Sequence, residues 1–367
     1  MSLSARWNRL IEKVQLTEEQ RRMYAAERLD NFRWISKLLA AHSPQVLNDT
    51  HLVQTHIKEE IEEIGQFAEL IYSSIPIQDL LEEIETLSKE DFPLEYHHAL
   101  RDAALLVSFE GSVAKLPVGI FHRPTHKQLI VSICGTAQIQ HIVQDLRFLK
   151  VKHPVSGNAH SGFWALYTGI ADRVKTELKA LINFHSPDEI IITGHSMGGA
   201  VGYLLLLDIL SDQGLLPPSP PAIKLATFGT PRVGDAALVF HFHNTVAEYT
   251  SRHGDRSFIE YSVRGYNDGV PTLPPLKLGY RHFAKTPIYA TGDQLYFVPE
   301  AECEYALFHV ESGNERTTPT RFPRGGHNYY NGRELEKMLR RISWLEKANF
   351  REEDWEERYR AIVQKHS

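Results

Sequence analysis

Residues 189–210 constrain the fold most tightly. A short strand pattern at 189–193, apolar at Ile190, Ile191 and Ile192, runs into Gly194-His195-Ser196-Met197-Gly198, and a stretch at 199–210 that is apolar at every position but Asp208 follows. A helix without a polar face is buried all round. A short apolar strand without alternation is buried on both faces. A chain holding these two elements end to end therefore needs a sheet with helices on both sides. The five residues between them have the spacing G-x-S-x-G. In that spacing a serine sits on a sharp strand-to-helix turn with its hydroxyl above the sheet edge. Larger side chains two positions either side of it would collide, so glycine is needed there.

The same pattern recurs along the chain. Strands are expected at 104–109, 116–121, 128–134, 223–228 and 258–264, and a hairpin over 287–297 turns at Gly292-Asp293. Helices are expected at 162–184, 333–347 and 352–364. Strands alternating with helices predict an α/β class with a mostly parallel central sheet. Upstream, residues 1 to about 55 read as helical, with Trp7, Leu10, Ile11 and Val14 on one face and a second helix ending near Ser43-Pro44. A further helix carries Ile57, Ile61, Ile64, Ala68 and Ile71 on one face. The expected organisation is an N-terminal helical extension over 1–55, a main unit over 56–345, and a C-terminal helix over 346–367.

Bulk properties exclude several classes. The chain has 367 residues, 42% of them hydrophobic and 23% charged, which is ordinary globular composition with no tendency to disorder. A net charge of −6 gives no basic surplus for nucleic acid, so no nucleic-acid partner is expected. The apolar runs are too short for a transmembrane segment. Two cysteines, Cys134 and Cys303, make no disulfide framework. With no apolar leader visible in residues 1–16, a cytoplasmic location is the expectation. His241-Phe242-His243 has no identifiable third ligand, so no metal is expected.

A serine hydroxyl is a weak nucleophile and needs a base, which in turn needs an orienting acid. After a G-x-S-x-G serine the expected chain order is acid, then histidine. His241, His243, His253, His282, His309 and His327 all follow Ser196. His327 stands out because it follows Gly325-Gly326 in a loop before the last core helix. On spacing alone Asp235, Asp255 and Asp268 all qualify as the acid.

Several blocks, in order, resemble one family. They are Thr193–Ala200 around the serine, residues 129–136 followed by Asp145-Leu146, Ala159-His160-Ser161-Gly162-Phe163, Gly229-Thr230-Pro231-Arg232-Val233-Gly234-Asp235, Asn267-Asp268-Gly269-Val270-Pro271, and Gly326-His327-Asn328-Tyr329-Tyr330. Together, over about 105–345, they resemble the class 3 (fungal-type) lipases of the α/β-hydrolase superfamily. Where that family usually has arginine before the oxyanion glycine, this chain has Cys134. The resemblance implies an α/β-hydrolase fold and a catalytic set of Ser196, Asp268 and His327. It implies an oxyanion hole from the amides of Thr136 and Met197, with Asp145 supporting the Thr136 hydroxyl. Residues 137–144, with Ile139, Ile142 and Val143 at helical spacing, match the position of the family's lid, although a plain packed helical turn fits them too. The implied activity is a lipase cleaving acylglycerol esters without a cofactor, in transient contact with a lipid surface. A phospholipase or feruloyl-type esterase fits the same machinery, and a non-enzymatic lipase-like regulator is the reading from another class.

Overall fold

The computed structural model describes residues 42–135, 149–212, 214–266, 268–311, 326–330 and 332–366. The residues expected to form the helices of 1–41, the lid at 137–144 (with Ile139, Ile142 and Val143), Thr136 and Asp145 lie outside the described residues.

Eight strands form the main sheet: β1 (Ala104–Glu110), β2 (Pro117–Arg123), β3 (Gln128–Ile133), β4 (Glu189–His195), β5 (Ala222–Phe228), β6 (Phe258–Gly265), β7 (Ile288–Thr291) and β8 (Gln294–Phe297). Their order across the sheet follows their order in the chain. β3 to β7 run parallel, while the β1–β2, β2–β3 and β7–β8 pairs are antiparallel. The apolar run Ile190, Ile191 and Ile192 sits in β4 with no solvent exposure, as a strand buried on both faces requires.

Register shows which layer covers each face. Val131 pairs with Ile192 and Ser132 with Thr193 across β3 and β4. On one face, Ile192 meets α3 (Met197–Ser211) at Gly202. Alternation along a strand puts Ser132 on the other face. There its hydroxyl donates to the Phe67 carbonyl of α1 (Thr55–Leu70) at 2.8 Å. The remaining main helices are α2 (Ala171–His185), α4 (Ala236–His253), α5 (Leu335–Lys347) and α6 (Trp355–His366). One continuous core joins α1, α3, α5 and the sheet, and Trp355 and Tyr359 of α6 belong to it.

Three expectations are corrected. The helical reading of 1–55 fails at its end: His42–Leu47 is a strand, paired in parallel with Leu307–Val310. Leu47 packs there with Tyr289, Tyr296, Val298 and Phe308 in a second small core, so tertiary pairing overrides local propensity. The helix expected over 162–184 is two, Ser161–Thr168 and α2. The chain breaks at Gly169, whose carbonyl accepts from the Ser112 amide at 3.0 Å. Arg333, expected to open the last core helix, instead forms a two-residue antiparallel ladder, Arg333–Glu334 against Tyr329–Tyr330, just before α5.

Arg333 is buried, and its guanidinium donates twice to Glu69 of α1, at 2.7 and 2.9 Å. His97 Nε2 also reaches Glu69, at 3.0 Å. Burial pushes the Glu69 carboxyl up, but Arg333 and His97 outweigh it and hold the group down at about 2, against 4.5 for a free glutamate. A carboxyl depressed on folding stabilises the protein above its unfolded value, and that stabilisation fades as pH falls toward the folded one. Removing one partner of a buried pair strands the other charge and costs about 3–5 kcal/mol. Arg333→Leu is therefore expected to lower stability by about that amount at pH 7, measured by urea unfolding. The gap between the wild type and Glu69→Gln narrows as pH is taken from 5 toward 2. A gap that is constant across this range would contradict the assignment.

Candidate active site

The site is built at the end of β4. Ser196, the residue between β4 and α3, has φ 57° and ψ −123°, a conformation that costs a non-glycine residue on the order of 1–3 kcal/mol. The turn is held by the surrounding chain. The Ser196 amide donates to the Phe228 carbonyl of β5 at 2.7 Å, and the Ser196 carbonyl accepts from the Gly199 amide at 3.1 Å. The glycines have a steric reason: a Cβ at Gly198 would lie 2.1 Å from the Ile133 carbonyl oxygen.

Ser196 Oγ lies 2.9 Å from His327 Nε2. His327 Nδ1 lies 2.9 and 3.0 Å from the two carboxylate oxygens of Asp268. This geometry fixes one arrangement of protons. Nδ1–H donates to the carboxylate, and Nε2 accepts from the serine hydroxyl. Ser196 and Asp268 are 0% exposed and His327 is 1% exposed, so the set is screened from bulk water. In a water-poor site, fixed dipoles act more strongly than they do in solution. The arrangement can move the serine proton to the imidazole and stabilise the resulting imidazolium with a carboxylate.

Two loops carry the partners of Ser196. Asp268 follows β6, and its Oδ1 accepts from the Val270 amide at 2.9 Å. Beyond it, Arg232 Nη1 donates to the Thr272 and Pro274 carbonyls at 2.6 and 3.1 Å. His282, buried, lies with its Nε2 2.8 Å from the Pro271 carbonyl. That contact braces the loop beyond Asp268 and places His282 apart from Ser196. Asp235, the other acid close in spacing, accepts from the Leu238 amide at 3.1 Å and so caps α4. Asp255 opens a short 3-10 turn, Asp255–Ser257, before β6.

Met197 heads α3, where backbone N–H groups have no acceptor within the helix and the helix dipole is positive. Its amide is thus one of the amides at the positive end of that helix, next to Ser196.

Two tyrosines escaped the sequence reading. Tyr330 donates its hydroxyl to Asp268 Oδ2 and accepts from the Gly265 amide at 3.0 Å. Tyr72, just past α1, lies with its hydroxyl 2.8 Å from His195 Nδ1. No local pattern marks Tyr72, and Tyr330, although it closes the Gly326–Tyr330 block, shows no sign there of its partner, because each acts across more than sixty positions of chain.

Residues 130–278 match the family model for lipase (class 3). A secreted mono- and diacylglycerol lipase of Fusarium solani is 30% identical over 186 residues, covering 50% of each chain. A secreted mono- and diacylglycerol lipase of Penicillium cyclopium is 29% identical over 160 residues, 43% of this chain and 47% of its own. The chain spans about half the length of these relatives. The crystal structure of a lipase from Rhizopus microsporus var. chinensis superposes with a TM-score of 0.58 at 18% identity, over 78% of this chain and 91% of that one. At that identity the likeness is one of fold, and the shared fold is the α/β-hydrolase. The expected cytoplasmic location does not stand: the relatives of Fusarium and Penicillium are named as secreted, and a missing disulfide framework was too weak a sign to set against them. Among the described residues no helix is long and apolar enough to cross a membrane. Residues 130–278 are thus similar in sequence to the class 3 lipases, and the chain shares the fold of that family's solved members.

Proposed function

We propose that this chain is a serine carboxylic-ester hydrolase that cleaves acylglycerols through an acyl-enzyme on Ser196. The observation that carries the reading is the hydrogen-bonded series from Ser196 Oγ through His327 to Asp268, set on a strained turn at the head of a helix.

The steps follow from the proton positions. His327 Nε2 takes the hydroxyl proton as Ser196 Oγ attacks the ester carbonyl carbon. The carbonyl oxygen becomes an oxyanion beside the Met197 amide, with the Thr136 amide as the second donor in the sequence reading. His327 returns its proton to the departing alcohol as the C–O bond breaks. A water molecule then gives a proton to His327 and attacks the acyl carbon, and as the acyl C–Oγ bond breaks His327 passes that proton to Ser196 Oγ and the fatty acid leaves. Asp268 keeps the imidazole in the Nδ1–H tautomer and offsets its positive charge in each half-reaction. The acylglycerol assignment follows the relatives, two of which are named mono- and diacylglycerol lipases.

Ser196 is fully covered, so substrate reaches it only after some covering residues move. Turnover is therefore expected to rise when the substrate passes from monomers to an emulsion or when detergent is added. A fluorophosphonate probe is expected to label the wild type and not Ser196→Ala. The mutant also loses hydrolysis of p-nitrophenyl and monoacylglycerol esters, with kcat down by on the order of 10⁴-fold or more. Folded wild-type protein that is neither labelled nor active, with and without detergent, would sink the enzyme reading in favour of a regulatory one.

Tyr330→Phe tests the acid. It removes a donor from a buried carboxylate while keeping the ring, and one lost hydrogen bond to a charged group is worth about 1.5–3 kcal/mol. The expected result is a fall in kcat on the order of 10-fold or more with KM little changed. An unaltered kcat would show that Tyr330 has no part in holding Asp268.

A further inference from the structure

The residue preceding the serine has an unusual position. His195 is buried, and both its ring nitrogens are engaged. Nε2 lies 2.6 Å from the main-chain carbonyl oxygen of His327, an acceptor only, so this nitrogen carries the hydrogen and donates. Nδ1 is then the acceptor, and it receives the Tyr72 hydroxyl hydrogen at 2.8 Å. The two imidazoles also pack on each other, with ring centroids 4.5 Å apart and planes 39° from parallel. Tyr72 sits at the exit of α1, its amide bonded to the Glu69 carbonyl at 3.1 Å. Gly135 closes over it: a Cβ there would stand 2.0 Å from the tyrosine oxygen and 2.6 Å from the His195 carbonyl.

We propose that His195, set in one tautomer by Tyr72, is a positioning residue that holds the main chain of His327 so that its Nε2 faces Ser196. The proposal rests on the hydrolase reading above. Among the described residues next to His327, regular structure begins with the two-residue ladder at Tyr329–Tyr330. Pinning the carbonyl of a residue limits rotation of its peptide plane, and with it the swing of its side chain. Placement errors of about 1 Å at a reacting group cost up to 10²-fold in rate. The role suits a neutral histidine. Burial, and then the neighbouring His327, push the His195 imidazole down to about 3, so at working pH it neither competes for the serine proton nor repels the His327 imidazolium. A rigid ring with a donor at one end and an acceptor at the other spans the gap from α1 to the histidine loop.

The test uses the full chain, with active sites counted by fluorophosphonate titration and p-nitrophenyl butyrate as substrate. His195→Leu is expected to lower kcat per titrated site by on the order of 10–100-fold, with KM within about twofold. His195→Gln, which can donate to the same carbonyl, recovers at least about fivefold of that loss. Tyr72→Phe lowers kcat by about 3–10-fold in the wild type and adds nothing in the His195→Leu background, since the two act as one unit. If His195→Leu fails to fold by thermal melt, the same cycle is run with His195→Gln. A labelled, active wild type whose His195→Leu variant keeps its kcat overturns this proposal alone. So does a glutamine variant no better than leucine, or a Tyr72→Phe effect that simply multiplies. A wild type that neither labels nor turns over overturns the hydrolase reading, and this proposal with it.

Discussion

The turn at Ser196 is the constraint on which the rest of the structure depends. Nothing local favours a serine at φ 57°. The conformation persists because the chain is held on both sides. β4 is hydrogen-bonded between β3 and β5 up to His195, and α3 is buried on almost every face. A slip of β4 by one residue would turn the elbow to the other face of the sheet, away from Asp268 and His327. The burial that makes the sheet stable is therefore also what maintains the strain at the serine. A Cβ at Gly198 would fall 2.1 Å from the Ile133 carbonyl oxygen, which shows how little room the turn has.

The support for the histidine comes from elsewhere in the chain. The family match begins at residue 130, yet α1 lies wholly upstream of it. α1 reaches the histidine loop at two points. Glu69 holds Arg333, six residues after His327, and Tyr72 holds His195, which holds the His327 carbonyl. Gly65, Ala68, Glu69, His195, Asn328, Tyr330 and Leu335 line one small cavity between these two points. The helix that covers one face of the sheet is thus also the footing of the residue that would take the proton. Loss of α1 would be felt at the site as much as in the core.

The legible parts of the sequence were those in which burial is continuous along the chain. The apolar runs of β3, β4 and β5, the largely apolar α3 and the hairpin at Gly292 were read from residue patterns alone, because local period and burial coincide there. Ser196 was legible because its backbone needs glycines at fixed offsets. Asp268 was not legible on spacing: Asp235 and Asp255 fit equally well, and only the family's block order separated them. Tyr72 and Tyr330 could not be found, because a tyrosine in a helix exit or a loop carries no mark of the distant group it will meet. The strand at His42–Leu47 was missed for a related reason. Its partner lies some 260 residues further on, and a six-residue segment takes its structure from that partner.

The buried arginines explain why the loops, and not the sheet, were hardest to read. A loop folded into the interior brings carbonyl groups that no ladder satisfies. Here two buried guanidinium groups meet that need, and a third, that of Arg333, meets a buried carboxylate instead. Arg232 donates to Thr272, Pro274 and Glu304. Arg264 donates to the Tyr305 carbonyl at 2.7 Å and to that of Cys303 at 2.5 Å. Arg333 donates to Glu69. One arginine offers five donors in a fixed plane, so a single side chain can hold several turns of irregular backbone. Burying such a charge is costly unless carboxylates and carbonyls surround it. This chain accepts the cost around the loops that carry Asp268 and His327, whose main-chain course brings His327 Nε2 to 2.9 Å from Ser196 Oγ. In a pattern-based reading an arginine marks the surface. At these three positions it marks the interior, where carbonyls and carboxylates from distant segments meet its donors.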